Sequence, residues 1–385
     1  GGAGIIRNLT ISGNCTIHSD NHRVGAFVGY VDQVTCVIEN CVLSMYGDIS
    51  QNRSKSHIGG FVGLIVGSCK IRNCTNMMTG NIIGGTNIGG FVGYWEGHAT
   101  WNPNMTDCLI ENCTQSMLGN IVTNIDIWGH NVGGFIGLTH SAAYSGTVNS
   151  HSRGTIKNCI LSMCGDIFAH ARAGGFIGNS WRGGGQSTGN KWVINACRQE
   201  MHGNIGSVNT SGDQSGGSGG FVGTGSNIIY NSLLLMKGDI YGVAYIGGFV
   251  GIGAQTIIRN CVNAMVGNIW SSHANAGWVE IGGFIGSSRE NATEITNCTQ
   301  MMIGFITGYM NGTFIGKIHG TSTKITNCMQ IGRIYPRAYT ELKTTNPSAF
   351  ENEGDIPWST GGQSPDVTGS VKFLPVSNTF YSITT

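Results

Sequence analysis

The sequence predicts an all-β chain wound as a parallel β-solenoid (β-helix) of about nine to ten coils, each ~28–45 residues long, followed by a non-repeat C-terminal cap. Three observations predict it. Gly-Gly-Phe-(Val/Ile)-Gly recurs at residues 59–63, 89–93, 133–137, 174–178, 219–223, 247–251 and 282–286, with degenerate copies at 25–29 and 312–316 and a remnant at 1–4. Between these lies Ile-x-Asn-Cys-x-x-x-Met-x-Gly-(Asp/Asn)-Ile, clear at 38–49, 71–82, 110–121, 156–167 and 258–269, and looser at 194–205, 229–240, 295–306 and 325–334. Residues 335–385 carry Pro336, Pro347, Pro357, Pro365 and Pro375 and no glycine phrase.

The second phrase reads as strands and tight turns. It is rich in β-branched residues, alternates with period two, and is punctuated by Gly, which costs a helix about 1 kcal/mol each time. Along 71–82, Ile71 and Asn73 share one strand face and Arg72 the other; Glu39, Glu111, Lys157, Arg259 and Thr296 match Arg72, so that side is wet. After Asn the parity flips, placing Cys74, Met78, Gly80 and Ile82 together. A bend between Asn and Cys would turn both sets inward. The expectation is an internal ladder of stacked corner amides: Asn8, Asn40, Asn73, Asn112, Asn158, Asn195, Asn231, Asn260, Asn297 and Asn327.

The pair Gly-(Asp/Asn) before Ile tolerates positive φ and predicts a turn. Asp48, Asp166 and Asp239 alternate there with Asn81, Asn120, Asn204 and Asn268, which indicates a conformational role. In the glycine phrase, missing side chains let walls approach while Phe61, Phe91, Phe135, Phe176, Phe221, Phe249 and Phe284 stack in the interior. The solenoid is placed at 1–334, roughly 45 Å long at one strand spacing per coil. A cap or linker at 335–385 would blunt its open strand edges.

The glycine phrase resembles the GLUG motif, a short repeat of bacterial surface proteins, adhesin-like chains and some secreted immunoglobulin-cleaving metallopeptidases. The resemblance covers roughly residues 1–334. It implies a solenoid repeat and a surface or adhesive setting. The peptidases of that group need zinc, and this chain has no His-Glu-x-x-His, so that activity is not expected.

Composition narrows the function classes. Only 11% of the chain is charged, net charge is +1, and 63 of 385 residues are Gly. Neither nucleic acid nor an acidic membrane surface is implied. No apolar run approaches the roughly 18 residues that span a bilayer, so no direct membrane insertion is expected. The chain opens inside a repeat without an initiating Met or signal peptide, as expected of a piece of something longer.

Thirteen Cys would ordinarily suggest disulfides. Eight of them, Cys41, Cys74, Cys113, Cys159, Cys197, Cys261, Cys298 and Cys328, share one repeat position, where parallel Cβ vectors do not converge. Buried free thiols acting as small hydrophobes are expected. One soft ligand per coil lacks the Cys-x-x-Cys pairing of tetrahedral zinc, so neither metal nor cofactor is expected. Of the Asn-x-Ser/Thr sequons, Asn52, Asn104, Asn209 and Asn291 are the glycan acceptors expected if the protein is eukaryotic and secreted; Asn8, Asn73, Asn112 and Asn297 are ladder positions, where an internal amide leaves no room for a glycan.

Function is sought in the insertions. Residues 94–107, 138–154 and 179–191 lengthen three consecutive coils and should emerge side by side on one edge. They bring Trp95, His98, Trp101, His140, Tyr144, Trp181 and Arg182, expected as a contact surface for glycan or protein; packing of the Trp residues onto the coil edge is the alternative. Inserts at 122–132, 206–218 and 270–281 project from another corner. No Ser/His/Asp, Cys/His or paired-carboxylate constellation stands out, so no catalytic residue is expected.

The expectation is a non-catalytic structural and adhesive module of an extracellular or cell-surface fibre, spike or adhesin. Its partners would be other copies or subunits of the assembly, glycans, or a host-surface protein. The alternatives are a polysaccharide-binding or polysaccharide-processing β-helix enzyme, and a virion surface or fibre protein.

Overall fold

The computed structural model describes residues 4–20, 22–32, 35–52, 56–98, 108–124, 130–142, 154–182, 191–208, 216–272, 279–289, 293–307, 310–319, 323–332, 334–337, 366–368 and 372–374. For residues 97–98, 141–142, 181–182, 310–311, 334–337, 366–368 and 372–374 it gives the backbone course alone. Each coil is a five-walled loop. In the third coil the walls are A (Cys69–Arg72), B (Thr75–Met78), C (Ile82–Gly84), D (Asn87–Gly89) and E (Val92–His98). Each wall pairs in parallel with the same wall of the neighbouring coils, in register: Ile71 opposite Ile38 and Ile110, Met78 opposite Met45 and Met117. The chain is therefore a parallel β-solenoid. Among the described residues no helix is long and apolar enough to cross a membrane.

Walls D and E are 9-stranded sheets and wall A is 11-stranded. Walls B and C are joined into one 20-stranded sheet because Thr299–Thr307 runs through both in the ninth coil. There Phe305 replaces the Asp or Asn of the B–C turn, and the strand passes straight through. The last wall-C strand, Ile334–Arg337, straddles the boundary placed at 334. Beyond it, Asp366–Thr368 and Lys372–Leu374 extend walls A and B by parallel pairing with Lys324–Thr326 and Met329–Ile331.

The interior is filled by columns of like residues. Phe27, Phe61, Phe91, Phe135, Phe176, Phe221, Phe249, Phe284 and Phe314 stack face to face, with centroids 4.4 to 5.0 Å apart and planes within 10°. Offset stacking of this kind adds about 0.5–1.5 kcal/mol per pair beyond burial. Glycine is demanded where walls D and E meet. A Cβ on Gly59 would lie 1.9 Å from the Val62 carbonyl oxygen, and one on Gly63 would lie 2.6 Å from the Gly29 and Val24 oxygens. No side chain fits such backbone-to-backbone approach.

The corner asparagines are stacked, but outside. Asn8, Asn40, Asn73, Asn112, Asn158, Asn231, Asn260, Asn297 and Asn327 are exposed, against the expectation that they sit within the tube. Their φ values of 49–55° explain the difference. A single left-handed residue turns wall A into wall B, so Arg72 and Asn73 both face water while Ile71 and Cys74 both face in. Asn tolerates this conformation better than other residues with a side chain. Each Nδ2 donates to Oδ1 of the previous coil, at 3.1–3.2 Å from Asn40 through Asn158 and 3.0–3.3 Å from Asn231 through Asn297. Asn195 departs from the pattern. It aligns with Lys157, and Ala196 takes the corner with φ 53°. The reason that set Asn8, Asn73, Asn112 and Asn297 indoors therefore falls away.

The amides that do lie inside are on wall B. Asn76, Gln115, Gln199, Asn263 and Gln300 are fully buried. Four of them reach across the lumen to the second residue of the glycine phrase: Asn76 to the Gly90 carbonyl at 2.9 Å, Gln199 to Gly220 at 2.7 Å, Asn263 to Gly283 at 3.2 Å and Gln300 to Thr313 at 3.1 Å, while Gln115 Oε1 accepts from Asn76 Nδ2 at 2.7 Å. Buried polar groups need such partners. A second ladder runs up the B–C turn. Oδ1 of each Asp or Asn accepts the backbone N–H of the equivalent residue one coil on, from Asn81 N–H to Asp48 at 2.6 Å through to Asn268 N–H to Asp239 at 2.7 Å. Either residue type supplies that oxygen, which is why the position alternates.

Each corner thiol also has a task. Cys74 donates to the Arg72 carbonyl at 3.1 Å, and Ser232, the one serine in the column, donates to Tyr230 at 2.8 Å. All cysteines are free; Cys15 and Cys164 are exposed and the rest buried. The neighbouring Cys261 thiol, together with burial, pushes Cys298 up to about 12.

Two expected outcomes follow from this layout. Ala196→Asn, which relieves a left-handed alanine that costs roughly 1–2 kcal/mol, raises stability by about 1 kcal/mol, read as a higher denaturation midpoint. A maleimide labels two thiols in the folded chain and all 13 after unfolding, counted by intact mass; a bridged protein would show fewer.

Candidate binding face on walls D and E

Walls D and E meet at the close glycine corner, so the outward first residue of D lies beside the outward third residue of E. Arg23, His57, Asn87, Asn131 and Arg172 succeed one another in register on D. Tyr30, Leu64, Tyr94, Leu138 and Asn179 do so on E. The Arg23 guanidinium covers the Tyr30 ring at 3.8 Å, and the His57 and Tyr94 rings lie 4.9 Å apart. Strand period two points these residues away from the tube's interior, yet Leu64, Asn87, Asn131, Leu138 and Asn179 are buried on this side as well.

A one-way chain of hydrogen bonds runs down wall D. Arg172 Nη1 donates to Asn131 Oδ1 at 3.3 Å, Asn131 Nδ2 to Asn87 Oδ1 at 2.7 Å, and Asn87 Nδ2 to His57 Nδ1 at 3.0 Å. The last bond keeps Nδ1 unprotonated and leaves the ring proton on Nε2. Burial, then the charge of Arg23 and of His22, lowers His57 to about 4, so it is neutral at physiological pH. Burial raises the Tyr94 phenol well above its ordinary value, with Glu96 adding to it. Its hydroxyl pairs with His140 Nδ1 at 3.3 Å.

Further along, the face carries a buried carboxylate. Glu280 lies against His319 Nε2 at 2.8 and 2.9 Å and Lys317 Nζ at 3.4 Å. Arg289 covers the Tyr245 ring at 4.1 Å. The wall-D amides of this row are buried and engaged with each other, so the groups left to meet a polar ligand are the exposed Arg23 and the half-buried Tyr30, His57, Tyr94, His140 and Arg172. Among the described residues no three His, Cys, Asp or Glu side chains gather into a metal-binding group.

The predicted contact residues divide. His140 is half-buried on this face. Trp95, expected on a loop, is fully buried: its Nε1 donates to the Gly67 carbonyl at 3.2 Å and its ring meets Trp192 edge-on at 5.5 Å. The reason is that wall E continues to His98, Ala142 and Arg182 in these three coils, so Trp95 falls in register with Ile65. The backbones of His98, Trp181 and Arg182 lie on these extended strands, with Trp181 opposite His140 and Arg182 opposite Ser141. Trp101 and Tyr144 lie outside the described residues, as do the sequons at Asn104, Asn209 and Asn291. Asn52 is exposed, and its Oδ1 lies 3.5 Å from Asn124 Nδ2.

Sequence reasoning missed Arg23, His57, Asn87, Asn131, Arg172 and Glu280. Their signal was present: each sits two residues before the first Gly of a glycine phrase.

The fold defines a parallel β-solenoid whose walls D and E carry a largely buried row of polar and aromatic residues. Comparison with family models, with curated proteins and with solved structures finds no match for the chain.

Acid weakens this face. His57 titrates near 4 when folded against 6.5 when exposed, so the unfolded chain binds the extra proton between those values. Stability from this residue is complete above 6.5 and falls by up to about 3 kcal/mol as pH drops to 4. His57→Gln is expected to flatten the denaturation midpoint across that interval.

Proposed function

We propose that the chain is a non-catalytic structural and adhesive module of a surface fibre, spike or adhesin, holding its outer walls toward partners. The observation that carries this reading is how its polar groups are employed. Asp48, Asp166 and Asp239 accept backbone N–H groups between coils. Glu39 pairs with Arg7 at 2.7 Å, Glu111 with Lys157 at 2.8 Å and Glu294 with Arg259 at 2.9 Å. These acids align coils, while walls D and E leave Arg23, Tyr30, His57, Tyr94, His140 and Arg172 partly accessible for stacking and hydrogen bonding. Rigid display of this kind supports capture of an extended ligand, a glycan or a host-surface protein. The resemblance of the glycine phrase to GLUG repeats points the same way, toward an extracellular or cell-surface setting.

A second setting, a virion surface or fibre, is favoured by the thiols. Every cysteine is free and all but Cys15 and Cys164 are buried, which suits assembly in a reducing cytoplasm.

Incubation with a mixed polysaccharide library and a panel of purified host-surface proteins is expected to give capture with no release of reducing sugars. Replacing Trp101 and Trp181 by Ala, or Arg172 by Ala, is expected to weaken capture at least about tenfold while the far-ultraviolet spectrum stays that of the parent. Catalytic turnover would replace this reading with the polysaccharide-processing one.

A further inference from the structure

Eight thiols stand in one column behind the corner between walls A and B, and their side chains share a single pose. In Cys41, Cys74, Cys113, Cys159, Cys197, Cys261, Cys298 and Cys328, Sγ lies 3.1–3.5 Å from the carbonyl oxygen two residues back. The same sulfur lies 3.6–3.8 Å from the carbonyl oxygen of the wall-A isoleucine in the coil before. Identical contacts in coil after coil mean that the sulfurs repeat at the strand spacing, about 4.8 Å. None of the eight is more than 1% exposed. Ser232 interrupts the column, leaving a run of five thiols in coils two to six and a run of three in coils eight to ten.

That spacing decides what the column can do. A disulfide needs sulfurs about 2.05 Å apart and Cβ atoms about 3.8 Å apart, so adjacent coils cannot be bridged without moving the backbone. Two metal–thiolate bonds of about 2.3 Å laid end to end span about 4.6 Å, close to one coil. Soft closed-shell ions that prefer two ligands in line therefore fit between one sulfur and the next, whereas zinc, which takes four ligands, does not. Bonds at sulfur meet at roughly right angles, while ions above and below one sulfur would lie on a straight line through it. Each sulfur thus serves one ion, and the thiols bind in pairs.

Charge selects the ion. Two thiols release two protons to solvent and take up one divalent ion, 2 R–SH + M2+ → R–S–M–S–R + 2 H+, with no change of oxidation state. The product is neutral and suits the apolar lumen, whereas a monovalent ion would leave a buried negative charge, which is costly. The carbonyls that lose an S–H donor keep another: Arg72 still accepts Asn40 N–H at 3.0 Å, and Glu111 that of Asn73 at 3.0 Å. We infer that the corner column is a pairwise binding site for a soft divalent d10 ion of the mercuric type, holding two ions in the run of five and one in the run of three. This site goes beyond the adhesive reading and does not depend on it.

The test is one of parity. The folded full-length chain is titrated with mercuric chloride in the presence of a monothiol competitor, which strips ions held by a single sulfur, and bound ions are counted by native mass spectrometry. Each ion is expected to add its own mass less two protons. Cys36, Cys69 and Cys108, stacked at the head of wall A, contribute the same number to every variant. Cys74→Ser leaves Cys41 isolated from a run of three and is expected to lose one ion. Cys113→Ser splits the five into two pairs and is expected to lose none. Ser232→Cys joins both runs into nine and is expected to gain one. Serine already occupies the column at Ser232, and an unchanged far-ultraviolet spectrum checks that each variant folds. X-ray absorption is expected to place two sulfurs about 2.3 Å from each ion. Equal losses from Cys74→Ser and Cys113→Ser would show ions taken up thiol by thiol and overturn the inference. Three or more sulfur ligands per ion, no gain in Ser232→Cys, or zinc retained at the same stoichiometry would each overturn it as well. None of these outcomes bears on capture by walls D and E.

Discussion

Register stacking at one strand spacing governs this molecule. Each paired strand residue within the stack has, about 4.8 Å above and below it, the residue in the same place of the next coil. A side chain is tolerated only if it is compatible with its own kind or with a matched opposite. Phenyl rings meet that condition by stacking within 10° of parallel. Asparagines meet it because one amide carries both a donor and an acceptor. Carboxylates do not, so they are separated: Asn81 and Asn120 lie between Asp48 and Asp166, and Asn204 lies between Asp166 and Asp239. The interior and the surface obey one rule.

The same stacking creates a supply of buried backbone carbonyls at corners, and the repeat devotes specific residues to them. The carbonyl before the left-handed corner takes two donors, the corner N–H of the neighbouring coil and the Cys or Ser two residues on. The glycine phrase leaves a carbonyl facing the lumen, which Asn or Gln of wall B reaches. Thiols in this position act as weak hydrogen-bond donors of small volume, and at Cys298 the neighbouring Cys261 thiol and burial favour the protonated form. The glycine content carries a large entropic cost, offset because two walls can pack backbone to backbone.

Much of the architecture was legible because a repeat shows its own period. The strands, the turn at Gly-(Asp/Asn), the Phe column and the unbridged thiols all follow from residue type at a fixed place. The side on which the corner Asn lies was not legible. Strict alternation would put Asn73 with Ile71, and only a left-handed residue breaks that parity. Trp95 was misplaced for a related reason: nothing in residues 94–107 marks where wall E gives way to loop, so an inward strand residue was read as part of an insertion. The face on walls D and E depends on which walls meet at an acute corner. That is a property of the closed coil, set by Gly59 and Gly63 jointly, and no single segment announces it.

Wall A carries Arg7, Glu39, Arg72, Glu111 and Lys157 one above another, basic and acidic in turn. Individually such exposed pairs contribute less than about 1 kcal/mol. Their order matters more for how a chain of this kind can change in length. Excising one coil would set Arg7 upon Arg72, or Glu39 upon Glu111, whereas excising two in succession restores the sequence of signs. From Arg7 to Lys157, a doublet of coils is thus the smallest segment whose loss leaves every remaining charge beside its opposite.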